Sequence, residues 1–296
     1  MSVRQSLAFF FLVKHQSARI MAELPVVQIG GVRVDGQQPF FVLGPCVIES
    51  EDFVWDMARR IKAIADPLGL RWVFKASYDK ANRSAISSYR GMDCKEGCAL
   101  LARIGQELGV PVTTDVHSVE EVRTAAEYID LLQIPAFLCR QTDLIIAAGE
   151  SGRVVNVKKG QFLAPWDVKN IADKLLSVGC QQFLFTERGT TFGYNNLVAD
   201  MRSLYWMREL GYRVVFDATH SVQRPGGQGL TTGGDGKLAP VLARAAVATG
   251  VDGVFIETHI DPSKALSDGP NQIALADLPA LLNQLLRLHA IAHENL

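Results

Sequence analysis

The chain has 296 residues, 48% apolar and 21% charged, which excludes whole-chain disorder, collagen and coiled coil and leaves enough apolar material for a large core. Its 30 basic and 31 acidic residues give a net charge of -1, so no long-range field favours nucleic acid or an anionic membrane. Its five cysteines are scattered and odd in number, which argues for a reducing compartment and against a disulfide framework.

Residues 1–24 contain no acid before Glu23. Ser6–Val13 is apolar but much shorter than the roughly 20 residues that span a bilayer. Lys14 and His15 follow it without a small-residue cleavage site, which makes it a poor secretory signal. A transit peptide is one reading of this basic segment. The preferred one takes Met21 as the true start and residues 1–24 as an extension outside the fold. Residues 25–296 read as one domain.

Val26–Ile29 and Val32–Val34 flank Gly30-Gly31 and predict a β-hairpin. Eight β-branched or aromatic runs follow. They end near Cys46, Ser77, Val116, Ala136, Gly160, Gly189, His220 and His259. Their mean spacing of about 30 residues is the size of a βα unit. Helical apolar spacing is readable after Ser50, over Lys95–Leu108, Ser118–Tyr128, Asn195–Gly211 and Leu238–Gly250, and over Asp277–Ala292. Eight βα units predict a closed (β/α)8 TIM barrel of the α/β class. An open doubly wound sheet would want a G-x-G-x-x-G turn after the first strand, where this chain has GPCVIES.

The strands begin apolar and end polar. Cys46, Lys75, Ser77, Asp115, Gln133, Lys158, Glu187, Arg188, Asp217, His220, Glu257 and His259 all fall at C-terminal strand ends. In a barrel these residues converge on the face that carries active sites. Any one of them has a structural explanation, but a mouth this polar gains no stability from the set. Lys75, Lys80, Arg83, Lys158 and Arg188 form a basic group suited to phosphates and carboxylates. Cys46, His220, Glu257 and Asp268 come from strands one, seven and eight and a following loop. Thiolate, imidazole and two carboxylates suit a borderline divalent metal: zinc, manganese, iron or cobalt. Cys94 and Cys98, one helical turn apart without His partners, read as structural. Gly226–Gly236 holds six glycines in eleven residues and reads as a lid or a plain surface loop.

The runs FKASYDKANRS, NVKKGQF, TERGTTFGYNNLVAD, FDATHSVQ and ETH with KALSD resemble 3-deoxy-D-manno-octulosonate 8-phosphate synthase, from about residue 25 to the C-terminus. The resemblance implies a cytoplasmic, homotetrameric (β/α)8 enzyme of lipopolysaccharide synthesis. Such an enzyme condenses phosphoenolpyruvate with D-arabinose 5-phosphate and water. Cys46 in GPC implies the metal-dependent class, with His220, Glu257 and Asp268 as the remaining ligands. Lys80, Lys158 and Arg188 would hold phosphoenolpyruvate, with Lys75, Ser77 and Gln133 nearby. Asn82, Arg83 and Ser84 would hold the pentose phosphate, Arg83 across a subunit boundary, with Asp115 beside the sugar. His220, Lys80, Asp268 and Asp115 are the catalytic candidates. Two rivals remain. One is 3-deoxy-D-arabino-heptulosonate 7-phosphate synthase, which would carry a KPRT-like run where this chain has KANRS. The other is an inactive barrel kept as a binding protein.

Overall fold

A computed structural model describes residues 24–83, 85–225 and 233–294. A hairpin of β1 (Val27–Ile29) and β2 (Val32–Val34) comes first. Eight parallel strands follow: β3 (Phe40–Gly44), β4 (Arg71–Lys75), β5 (Val112–Asp115), β6 (Leu131–Ile134), β7 (Val154–Lys158), β8 (Phe183–Glu187), β9 (Val214–Asp217) and β10 (Gly253–His259). Each pairs with the next, and β10 pairs in parallel with β3, which closes the barrel. The expected (β/α)8 architecture is therefore present.

Period-2 alternation explains why nearly every strand residue is buried. On β3, Phe41 and Leu43 face the helices, while Phe40 and Val42 face the barrel interior. The interior layer also contains Val27, Ile29, Val32 and Val34, so the hairpin lays its apolar face over the N-terminal end of the barrel. Arg213 fastens this plug. Its Nε donates to Pro25 O at 2.9 Å and its Nη2 to Leu24 O at 2.8 Å. Leu24, expected to fall in the extension, is thus buried in the body. Residues 1–23, the subject of the extension reading, lie outside the described residues, as do Ser84 and positions 226–232 of the glycine-rich loop.

Among the described residues, eight α-helices cover the barrel: α1 (Glu51–Ala65), α2 (Cys94–Leu108), α3 (Val119–Ala125), α4 (Thr142–Glu150), α5 (Val168–Ser177), α6 (Met201–Glu209), α7 (Ala239–Ala248) and α8 (Leu278–His293). Ser50 caps α1 through Phe53 N, and Ser118 caps α3 through Glu121 N, as their sequences predict. Helix α6 starts six residues later than expected. Asn195 takes a left-handed φ of 52°, Leu197–Val198 pairs with Thr190–Thr191, and only then does Asp200 cap Arg202 N. Helices α4 and α5 were not read from the sequence. Helix α4 (TDLIIAAGE) is too uniformly apolar to show a helical stripe. No helix among the described residues is long and apolar enough to cross a membrane.

Candidate active site

A cavity of about 1520 Å³ opens at the C-terminal ends of the strands, lined among others by Lys75, Lys80, Asn82, Arg83, Asp115, Lys158, Arg188, His220, Glu257 and Asp268. Strand polarity puts them there: apolar residues fill the lower barrel, and the last residue of each strand is free to be polar.

Cys46, Glu257 and Asp268 offer three ligand atoms within 4.8 Å of one another. Cys46 Sγ is 3.5 Å from Asp268 Oδ2. His220 Nε2 stands 3.5 Å from Glu257 Oε2 and 4.0 Å from Asp268 Oδ2. Ligands at about 2.0–2.3 Å from a tetrahedral ion lie roughly 3.3–3.8 Å apart, so this donor set fits a divalent metal. Asp268 reaches in from a left-handed backbone at φ 52°. Burial, reinforced by Glu257, pushes the Cys46 thiol up to about 12. It therefore stays protonated until a cation displaces the proton.

The groups beside this cluster are basic. Lys158 Nζ rests 3.9 Å above the Phe255 ring and pairs with Asp217 at 2.7 Å. Lys80 Nζ stands 3.9 Å from Glu257 Oε1. Burial disfavours its charge, but the carboxylates of Glu257, Asp115 and Asp268 outweigh burial and hold Lys80 protonated above the usual lysine range. Arg188 is buried and donates to Gln223 Oε1, while its Nη1 finds no acceptor among the described residues. Such an orphaned donor costs about 1–3 kcal/mol unless a ligand supplies an acceptor.

Other expected residues are spent on neighbours. Lys75 Nζ donates to Glu257 Oε1 at 2.5 Å and to Cys46 O at 2.8 Å, so it braces the metal-type cluster. Ser77 and Gln133 are fully buried beneath Asp115 and donate to its two oxygens at 2.5 and 2.6 Å. Asn156 and Thr186 continue this ladder across the barrel. Burial works against Asp115, but Lys80, Lys75 and Lys158 overcome it and hold its carboxyl well below the usual range. Asn82 and Arg83 stand at the rim, with Arg83 Nε donating to Tyr89 O.

Asp217 sits at a strand end but was given no role from sequence. Its Oδ2 meets His220 Nδ1 at 2.7 Å, which orients the ring so that Nε2 faces the cluster. Its position three residues before His220 was the available signal. Ser267, whose hydroxyl lies 3.0 Å from Cys46 Sγ, was also missed, as was His117, which lines the cavity with Nδ1 3.0 Å from Glu121.

The family model described as the DAHP synthetase I family matches residues 19–294. The chain is 58% identical over 266 residues to the 2-dehydro-3-deoxyphosphooctonate aldolase of Pelobacter propionicus, covering 90% of this chain and 98% of the relative. The enzymes of that name from Geobacter sulfurreducens and Trichlorobacter lovleyi are 54% and 55% identical, with the same coverage. The chain belongs to the 2-dehydro-3-deoxyphosphooctonate aldolase family. Cys46 of the GPC run lies on the metal-type cluster, and Asn82 and Arg83 of the KANRS run lie at the cavity rim.

Proposed function

We propose that the chain is a 3-deoxy-D-manno-octulosonate 8-phosphate synthase, condensing phosphoenolpyruvate with D-arabinose 5-phosphate and water and releasing phosphate. The observation that carries this reading is the presence in one cavity of a metal-type cluster and a cluster of cations, among them the buried Arg188 with an unpartnered Nη1. Lys80, Lys158 and Arg188 take the phosphate and carboxylate of phosphoenolpyruvate, with Arg188 Nη1 a ready donor. Lys75, Ser77 and Gln133 lie beside that site and brace it through Glu257 and Asp115. Asn82, Arg83 and Ser84 take the pentose phosphate. Arg83 works at a subunit boundary of a cytoplasmic homotetramer.

Cys46, His220, Glu257 and Asp268 hold one divalent ion, of zinc, manganese, iron or cobalt type. When bound, it supplies Lewis acidity to polarise the aldehyde or orient the water. The reaction bonds the enol carbon of phosphoenolpyruvate to the pentose aldehyde, and water adds at the neighbouring carbon. Two phosphates and a carboxylate crowd together as this happens. The cations offset that charge and hold the two anions in reacting position. Lys80 keeps its proton and acts through charge. Asp115 stays ionised and accepts a hydrogen bond from the sugar. His220 and Asp268 remain the candidates for moving a proton.

Assaying the purified protein with each sugar phosphate, with and without chelator, tests the reading. Phosphate release is expected with arabinose 5-phosphate, lost on chelation and restored by Mn²⁺ or Zn²⁺. Turnover with erythrose 4-phosphate alone would overturn it in favour of the seven-carbon synthase. Absence of turnover under every condition would favour a binding protein.

A further inference from the structure

The geometry points to Asp217 as a positioning residue that links metal binding to phosphoenolpyruvate binding, an inference that rests on the proposed function. Its side chain is completely buried. One oxygen, Oδ2, lies 2.7 Å from His220 Nδ1 and 2.7 Å from Lys158 Nζ. The imidazole belongs to the metal-type cluster and the ammonium to the anion wall, so one atom serves both halves of the site. The other oxygen keeps the carboxylate from turning away. Oδ1 accepts from His220 N at 2.9 Å and from Thr219 Oγ1 at 3.2 Å. Thr219 Oγ1 in turn accepts from Glu257 N at 3.2 Å, which ties a second cluster residue to the same group. Phe255 walls the assembly: its ring lies under Lys158 and 5.6 Å from the His220 ring.

A shared acceptor makes the two donors compete. When an anion draws the Lys158 ammonium toward itself, more of the Asp217 charge remains for the imidazole, and Nε2 becomes a better donor to a metal. A cation on Nε2 polarises the Nδ1–H toward Asp217, which frees Lys158 for the anion. The two effects are one coupling seen from either end, because linkage is reciprocal. Direct attraction between a dication and the ligand's carboxylate adds a part that does not pass through Asp217, so the test measures a ratio of affinities in two proteins.

Mn²⁺ is titrated calorimetrically into metal-free protein, with and without saturating phosphoenolpyruvate and without sugar phosphate. In the wild type, phosphoenolpyruvate tightens Mn²⁺ binding by about tenfold or more, within the usual span of site-to-site coupling. In Asp217→Asn, Mn²⁺ alone binds about 10- to 100-fold more weakly, the usual loss when a ligand's orienting partner is removed. The tightening by phosphoenolpyruvate shrinks to about threefold or less. A wild-type ratio retained in Asp217→Asn overturns the inference, and so does a wild type that binds phosphoenolpyruvate with no effect on Mn²⁺. A wild type that does not bind phosphoenolpyruvate overturns the proposed function instead. If Asp217→Asn fails to fold, Asp217→Ser is read in its place at phosphoenolpyruvate concentrations shown to saturate it. Its tightening of Mn²⁺ binding by the ligand is again expected to shrink to about threefold or less; a wild-type ratio again overturns the inference.

Discussion

Lys75 Nζ and Glu257 Oε1 lie 2.5 Å apart with neither side chain more than 2% exposed. They stand on β4 and β10, the two neighbours of β3, so the ion pair bridges the strand that leads into Cys46. Removing one member of a buried pair leaves an uncompensated charge. Lys75→Met is expected to lose about 3–5 kcal/mol of stability, read from urea unfolding.

The same pair shapes acid stability. Burial pushes the Glu257 carboxyl up, but His220, Lys75, Lys80 and Lys158 outweigh it and hold it well below its ordinary 4.5. A carboxylate depressed on folding contributes stability above its unfolded value and loses it as pH falls through the folded one. The wild type should therefore lose stability progressively below about pH 4.5. Glu257→Gln should flatten that part of the profile in urea midpoints measured against pH.

Cys46 should be unreactive in the metal-free protein. With its thiol pushed up to about 12, little thiolate exists at neutral pH, and disulfide reagents should modify it far more slowly than an unfolded control. Metal addition should release about one proton per site, measurable in lightly buffered solution. Cys46→Ala should fold normally, lose metal binding and lose turnover. Full activity in that variant after metal stripping would end the metal assignment.

Lys159 and Glu187 form a second buried pair at 3.5 Å, on the outward faces behind Lys158 and Arg188. Lys159 Nζ also binds Gly160 O and Leu163 O, and Glu187 accepts from Gly189 N and Ser203 Oγ. Glu187→Ala should cost about 3–5 kcal/mol, while the double variant Lys159→Met with Glu187→Leu should recover much of the loss. Thermal melts of the three proteins check this.

His289, on α8, is buried beside His293, with ring centroids 3.9 Å apart. Burial, then His293 and Arg208, hold it down to about 4 from an ordinary 6.5. A histidine kept neutral by folding stabilises above its unfolded value and loses that contribution as pH falls toward the folded one. Between pH 7 and 5 this should cost about 2 kcal/mol, which His289→Leu should abolish. Urea midpoints at the two pH values measure it.

The barrel was legible because eight apolar runs repeat at βα spacing, and the site because polar residues gather at strand ends. Cys46, His220, Glu257 and Asp268 come from distant segments, yet strand order in a closed barrel brings them together. What sequence could not supply was partnership. Nothing in WVFKAS says that Lys75 is taken up by Glu257, or that Ser77 and Gln133 support Asp115 from below. Asp217 was visible as a residue but not as a bridge, since bridging is a property of three strands at once. Helix α4 escaped because an almost wholly apolar segment has no period to read.

Among the described residues, the hairpin that Arg213 fastens covers the N-terminal end of the barrel and leaves the C-terminal mouth as its doorway. A ligand that enters by that mouth leaves by it. Lys158 and Arg188 lie buried within, whereas Asn82 and Arg83 stand at the threshold. A molecule seated on the rim blocks the way to the interior. On the proposed assignment, phosphoenolpyruvate must arrive before the pentose phosphate. Product-inhibition kinetics should show that compulsory order, and a random order would mean that the doorway is wider than its lining residues make it.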